Sequence, residues 1–331
     1  MRKFIFVAVL STAASSTAVI LYFIRKHLFK QPTWTGSNVK LDGKTIVVTG
    51  SNSGIGKEVA LDFAQRGAQV ILACRDVTSA RNVAEEFRKN THNWKIVAMS
   101  LDLADFKSIR EFVKQLKLRE TKIDILVNNA GVFYLPYSVT KDGFETVFQV
   151  NYLGPFLLTL LCLDLLKNSA SGRIINVSSH GHRLCDKIEF SNNESYGKFK
   201  AYAQSKAALI LFTRTLSQKL QGTNTTVNAV NPGNVDSNMF RHFPILSNPI
   251  LRLVQWPTRK LIFKSCYDGA QNIIHCAIEP TVLNISGKYF NSNFIEEEPS
   301  ALTKDSQLAQ RLWNDSLKII SFVRNIKLEI I

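Results

Sequence analysis

Cysteine is scarce: the five residues, Cys74, Cys162, Cys185, Cys266 and Cys276, are odd in number and widely spread. That excludes a disulfide framework, and no two stand at the spacing of a metal-ligating pair, so no metal site is expected. Three or four of them read as small buried hydrophobes in a protein of a reducing compartment. Acid is also short, with 26 Asp and Glu against 41 Lys and Arg, for a formal net charge of +15 over 331 residues. Arg2, Lys3, Arg25, Lys26 and Lys30 carry positive charge near the N-terminus, with no acid among them. A basic body suits an anionic membrane surface and a phosphorylated cofactor. Nucleic acid is not expected as a partner, because there is no finger, repeat or basic-aromatic array. Apolar residues make up 45% of the chain, which excludes disorder, and the length suits one domain of about 250 residues with appendages.

Residues 4–24 contain no charge and approach the ~20 residues that cross a bilayer, with basic residues on both sides. The run reads as a membrane anchor. A cleaved signal peptide fits less well, because apolar residues 19–24 follow directly on the small residues that a peptidase would cut. Five Ser and Thr within the run leave hairpin or interfacial insertion open. The longer basic flank on the C-terminal side predicts that the main domain faces the cytosol, and the endoplasmic reticulum is the membrane expected. The expected organisation is an anchor with its basic flank at 1–30, a linker at 31–43, a main domain at 44–295 and an amphipathic tail at 296–331. In the tail, Leu308, Leu312 and Trp313 stand at helical spacing.

Thr45 to Thr49 is a β-branched strand that runs into Gly50-Ser51-Asn52-Ser53-Gly54-Ile55-Gly56 and then a helical pattern over 57–65. Strand, glycine turn and helix is the arrangement that lets backbone approach a pyrophosphate and sets a helix N-terminus against its charge. Strand-like 69–73, 95–99 and 124–128 alternate with helical 79–89 and 107–116. These intervals predict βαβ units and a parallel sheet covered on both faces. An NAD-binding chain offers an acid at the end of the second strand, whereas here Cys74 is followed by Arg75, a cation suited to a 2′-phosphate. NADP(H) is therefore expected rather than NAD(H). Asp76, just ahead of a helix, reads as its cap.

Tyr202 and Lys206 lie in Ala201-Tyr202-Ala203-Gln204-Ser205-Lys206, one helical turn apart on the same face, so an ammonium can favour the ionised phenol. A free tyrosine titrates near ~10, and lowering that by ~3 units takes about 4 kcal/mol of preferential phenolate stabilisation. Lysine together with a cationic nicotinamide is suited to supply it. Upstream, strand-like 174–177 ends in Ser178-Ser179, at the edge where open α/β sheets bind ligands. His180 and His182 have no third ligand beside them and read as surface loop histidines.

The Thr49-Gly50-x-x-x-Gly54-x-Gly56 spacing, the serine and the Tyr202–Lys206 pair together resemble the short-chain dehydrogenase/reductase family, over roughly residues 44–290. The resemblance implies an α/β fold, a Rossmann-type doubly wound parallel sheet in a single domain, here with an N-terminal membrane anchor. It implies that Asp102-Leu103 contacts adenine, and that Asn129, Ala130 and Gly131, which follow Asn128, let the cofactor pass. Asn151, placed at the start of a long apolar helix over 152–166, would hold a water next to Lys206. Ser179 would orient the substrate oxygen, Tyr202 would move the proton, and Lys206 would hold the ribose. Pro232, Gly233, Val235 and Ser237, after a strand at 226–230, fall where the family contacts the nicotinamide, though Thr is more usual at the last position. The loop 180–200, with Arg183, Phe190, Tyr196 and Phe199, is expected to wall the pocket. Residues 238–264, rich in apolar and basic side chains, are expected to form a lid that also touches lipid.

Within the family, the anchor, Ala73-Cys74-Arg75-Asp76, Asp268-Gly269-Ala270-Gln271 and Arg311-Leu312-Trp313 resemble the retinol dehydrogenase-like, membrane-bound members. That implies NADP(H)-dependent interconversion of a lipophilic, retinoid-like alcohol and its aldehyde or ketone. The expected partners are a small lipophilic substrate and membrane lipid, and a homodimer is left open. A steroid or polyprenol dehydrogenase of the same family is the nearer alternative. A catalytically silent dinucleotide-binding scaffold is the alternative of another class, and the presence of Asn151, Ser179, Tyr202 and Lys206 argues against it.

Overall fold

The computed structural model describes residues 38–189, 196–237, 239 and 263–322. The strands are β1 (Thr45–Thr49), β2 (Gln69–Cys74), β3 (Ile96–Ser100), β4 (Ile125–Asn128), β5 (Gly172–Val177), β6 (Thr225–Val230) and β7 (Tyr289–Phe290). All pair in parallel, in the order β3-β2-β1-β4-β5-β6-β7. The order reverses between β1 and β4, which opens a crevice at the C-terminal ends of these strands.

Alternate residues of each central strand serve opposite faces. Val47, Ile71, Leu126 and Ile174 join the core beneath α3 (Phe106–Arg119), α4 (Gly154–Leu161), α5 (Leu163–Lys167) and α6 (Lys198–Lys219). Ile46, Val48, Val70, Leu72, Val127 and Ile175 face α1 (Gly54–Gln65), α2 (Val77–Thr91) and α7 (Cys266–Ile278). Asp76 caps α2 by accepting the Ser79 N–H at 2.9 Å, and Asp105 caps α3 through the N–H groups of Lys107 and Ser108. Cys74, Cys162, Cys185 and Cys276 are buried thiols, and Cys266 is half-buried. Expected and observed element ends differ by a turn or less in the cofactor-side half.

The helix expected over 152–166 differs. A short helical turn, Thr146–Phe148, leads into a π-helical turn, Gln149–Leu153, then α4, and a break at Cys162 precedes α5. Asn151 is therefore inside a π-turn rather than at a helix start. The cause is in the sequence: an α-helix would bond the Asn151 carbonyl to the N–H of residue 155, which is a proline. The ladder shifts register, and the Gly154 N–H bonds to the Gln149 carbonyl.

The C-terminal helix α8 (Ser306–Phe322) packs into the same core as the sheet. Trp313 lies 5.3 Å from Phe156 and 6.0 Å from Phe212 between ring centroids, and Leu312 and Ile320 are buried. Tyr152, next to Asn151, shares a 2.7 Å hydrogen bond with the Ser316 hydroxyl. Among the described residues no helix is long and apolar enough to cross a membrane. The expected anchor at 4–24 and nearly all of the expected lid lie outside the described residues.

Candidate active site

A cleft of about 400 Å³ occupies the crevice, lined by Gly50, Asn52, Ser53, Gly54, Ile55 and Gly56 from the glycine turn. Arg75, Asp102, Leu103, Asn129, Ala130, Gly131 and Ser237 complete the expected part of its wall. Thr49 Oγ1 accepts the N–H groups of Asn129 and Ala130 at 3.0 and 2.9 Å, and Asn129 Nδ2 donates to the Thr49 carbonyl at 2.8 Å. These bonds lock the end of β4 onto the turn after β1. A Cβ on Gly56 would come within 2.4 Å of Asn129 Nδ2 and 2.5 Å of the Gly50 oxygen, so only glycine permits this approach. Ser53 makes no side-chain cap to α1, and the first turn of that helix has no acid. Its leading N–H groups thus border the cleft without a competing anion, a donor set that fits a pyrophosphate. Arg75 is exposed on the rim, while the neighbouring carboxylate of Asp76 is taken up by its helix cap.

Helix α6 presents Tyr202 and Lys206 toward the end of β5. Ser178 Oγ donates to the Lys206 carbonyl at 3.0 Å, and Lys206 Nζ donates to the Val177 carbonyl at 2.7 Å, so strand and helix are pinned together at this point. Lys206 is almost fully buried, which pulls its pKa down to about 8. Its Nζ lies 5.7 Å from the Tyr202 ring centroid. Burial raises the Tyr202 pKa, and a hydrogen bond with the Ser179 side chain opposes the rise. The expected depression of the phenol relied on lysine together with a bound nicotinamide, and in the protein by itself desolvation is the larger influence on this phenol.

Asn151 Nδ2 donates to the Val132 carbonyl and to Ser205 Oγ, each at 3.0 Å, and Asn151 Oδ1 accepts the Val132 N–H at 2.8 Å. Its side chain is fully used in holding the loop after β4 against α6. The Asn151 main-chain carbonyl, whose α-helical donor Pro155 lacks, is the group left to accept from a water. Asn151 Oδ1 and Lys206 Nζ both flank Gly131, at 3.3 and 3.5 Å from where a Cβ would stand.

A sequence profile of the short chain dehydrogenase family matches residues 44–244. The chain belongs to the short-chain dehydrogenase family. It is an oxidoreductase acting on CH–OH groups. Retinol dehydrogenase 12 of Mus musculus is 45% identical over 287 residues, covering 86% of this chain and 88% of that protein. Retinol dehydrogenase 13 of Mus musculus is 44% identical over 288 residues, covering 86% of each chain. Among solved structures, a Pseudomonas aeruginosa RhlG/NADP active-site complex superposes with a TM-score of 0.62 at 27% identity, covering 77% of this chain and 97% of that one. An uncharacterised protein of Mycobacterium paratuberculosis gives a TM-score of 0.67 at 28% identity, covering 85% and 95%.

Not every expected residue of this dehydrogenase turns a side chain to the cleft. Ser51 is buried and donates to the Val48 carbonyl at 2.9 Å, because the turn folds it inward. Val235 is buried against Gly269, where a Cβ would stand 2.5 Å from the valine methyl, which accounts for the glycine after Asp268. Pro232 and Gly233 form the turn after β6, with Gly233 at φ +87° and its N–H on Asn231 Oδ1. For Ser51, Val235, Pro232 and Gly233 only main-chain groups remain for a ligand. The reading of both loop histidines as surface residues is also corrected: His180 is exposed, but His182 is fully buried.

Sequence reasoning missed an aromatic wall beside the phenol. Phe133 stands edge-on to Tyr202 at 4.8 Å and to Phe199 at 5.5 Å, and Tyr134 meets Phe199 at 5.0 Å. Tyr134 adopts φ +59°, a conformation rarely held by a bulky residue, with Lys198 Nζ 4.7 Å from its ring centroid. The available signal was the Phe133-Tyr134 pair directly after Gly131-Val132, at the ligand-binding edge. Tyr196 and Phe199, expected as walls, are here, with the Tyr196 hydroxyl donating to the Leu135 carbonyl at 2.9 Å. Met239 Sδ, from the expected lid, is 3.8 Å from the Tyr202 hydroxyl.

Proposed function

We propose that this short-chain dehydrogenase uses NADP(H) to interconvert a lipophilic, retinoid-like alcohol and its aldehyde or ketone. The observation that carries this reading is the grouping of Ser179, Tyr202 and Lys206 beside Phe133 and Met239, two residues that line the glycine-edged cleft, with Tyr134 and Phe199 continuing the aromatic wall. The glycine turn would hold the pyrophosphate, Arg75 the 2′-phosphate, Asp102 and Leu103 the adenine, and Lys206 the ribose. Bound NADP(H) supplies or accepts the hydride and, when oxidised, brings a positive charge to the site. Tyr202 donates its proton to the carbonyl oxygen in reduction and takes it back in oxidation, while Ser179 orients that oxygen. Lys206 and the Asn151 carbonyl, with a water between them, would restore the proton to Tyr202. The name of the RhlG/NADP complex and the position of Arg75 support NADP(H), and the retinol dehydrogenase relatives support the substrate class.

Residues 1–30 serve as membrane anchor with basic flank, 31–43 as linker, 44–295 as the catalytic domain and 296–331 as a C-terminal extension in this reading. The anchor would set the pocket mouth at a cytosol-facing membrane surface, where lipophilic alcohols partition. Apolar burial stabilises by about 25 cal/mol per Å², so a long isoprenoid gains from the aromatic wall what a hydroxy acid cannot. In detergent or vesicles with NADPH, kcat/KM is expected to rise along a series of primary allylic aldehydes toward retinal, and above steroid ketones. A preference for short water-soluble carbonyls would defeat the lipophilic assignment.

A further inference from the structure

His182 occupies the 3-10 turn His180–Leu184, which starts directly after Ser179, and both of its ring nitrogens are engaged. Nε2 faces the main-chain N–H of Ser300 at 3.1 Å, and Nδ1 faces the Ser179 carbonyl at 2.7 Å. A backbone N–H can only donate and a carbonyl can only accept, so the ring proton must be on Nδ1 and Nε2 must be bare. The imidazole stands edge-on to Tyr289 of β7 at 4.9 Å between centroids. Arg183 and His180 on its own turn, Glu297 beyond β7 and Tyr289 are the titratable groups that face it. Burial is the main cause that pulls its pKa down to about 4, so the ring stays neutral at ordinary pH.

We propose that His182 is a positioning residue for Ser179: it clamps the serine's carbonyl with one nitrogen and anchors itself on the Ser300 amide with the other. The inference rests on the oxidoreductase reading of Ser179. The turn it holds is tight. Ser179 Oγ accepts the Gly181 N–H at 3.1 Å, and a Cβ on Gly181 would lie 3.3 Å from Tyr202 Cε1 and 3.4 Å from Ser179 Oγ. A small rotation of this turn moves the serine hydroxyl relative to Tyr202. The Ser179 carbonyl accepts both the His182 ring and the His182 main-chain N–H, the latter at 3.1 Å, so the ring is the bond that side-chain substitution can remove. The far end of the clamp is the segment leading to α8, so the chain beyond β7 helps to set the geometry of a residue on β5's exit.

The test uses the full chain in detergent with NADPH and retinal, comparing three variants by kcat, KM, NADPH affinity and melting temperature. His182→Ala removes both bonds and should lower kcat about 10- to 100-fold, the scale of a misplacement near 1 Å, with NADPH affinity unchanged. His182→Asn keeps a donor near Nδ1 and should recover kcat without recovering the melting temperature. His182→Gln keeps an acceptor near Nε2 and should recover the melting temperature without recovering kcat. Catalysis that simply follows melting temperature across the three variants, or a wild-type kcat in His182→Ala, overturns the proposal. No NADPH-dependent turnover by the wild-type protein would instead overturn the functional reading. The ¹⁵N shifts of the His182 ring test the clamp independently: a protonated Nδ1 supports it, and a protonated Nε2 defeats it.

Discussion

Tyr202 stands at a point where burial and chemistry oppose each other. Its phenol is raised by desolvation, Ser179 partly offsets that, and Lys206 is itself pulled down to about 8. Removing only the hydroxyl leaves the aromatic contacts with Phe133 intact, so Tyr202→Phe should cut turnover at least ~10²-fold while NADPH still quenches protein fluorescence. A variant that reduced retinal at the wild-type rate would place the proton donor elsewhere. On the cleft's other rim, Arg75→Asp removes a phosphate partner and adds a ribose acceptor. A hydrogen bond to a charged group contributes ~1.5–3 kcal/mol, so the ratio of kcat/KM with NADPH to that with NADH should fall about 10- to 100-fold. An unchanged ratio on one preparation would move the phosphate site away from Arg75. Both residues were legible in the sequence, because helical spacing and position after a strand are local properties. The sign of the Tyr202 shift was not legible, since it depends on how much solvent the folded chain excludes.

Among the elements, α8 shows how much a chain's end contributes. Its sequence reads as an amphipathic helix, but amphipathicity does not say what covers the apolar face. Trp313 closes against Phe156 of α4 and Phe212 of α6, while Ser316 reaches Tyr152 beside Asn151. Trp313→Ala should cost about 3–5 kcal/mol of stability, as large-to-small changes in a closed core do, and chemical denaturation measures it. A loss below ~1 kcal/mol would mean that α8 is a surface attachment. The π-turn carrying Asn151 gave a different lesson. Proline at 155 was visible, but only the helix continuing on both sides of it turns a missing N–H into a register shift rather than an end.

For the whole molecule, a seven-stranded parallel sheet with both faces covered carries its site at one edge, and the apolar run at 4–24 lies apart from it in sequence. Deleting residues 1–30 should release a folded domain that binds NADPH, whereas the full chain should stay with membranes through an alkaline wash. Full-length protein in the wash would rule out a spanning anchor, and a truncated chain that fails to bind NADPH would show that the segment serves the fold. The sequence by itself determined the sheet, the glycine turn and the Tyr202–Lys206 face, because period, β-branching and glycine spacing act within a few residues along the chain. Only the tertiary structure decided the aromatic wall at Phe133 and Tyr134, the inward turn of Ser51 and Val235, and the burial of His182 between Ser179 and Ser300. Those depend on segments far apart in sequence meeting at one sheet edge, where excluded solvent and paired backbone groups, rather than local preference, determine what each side chain does.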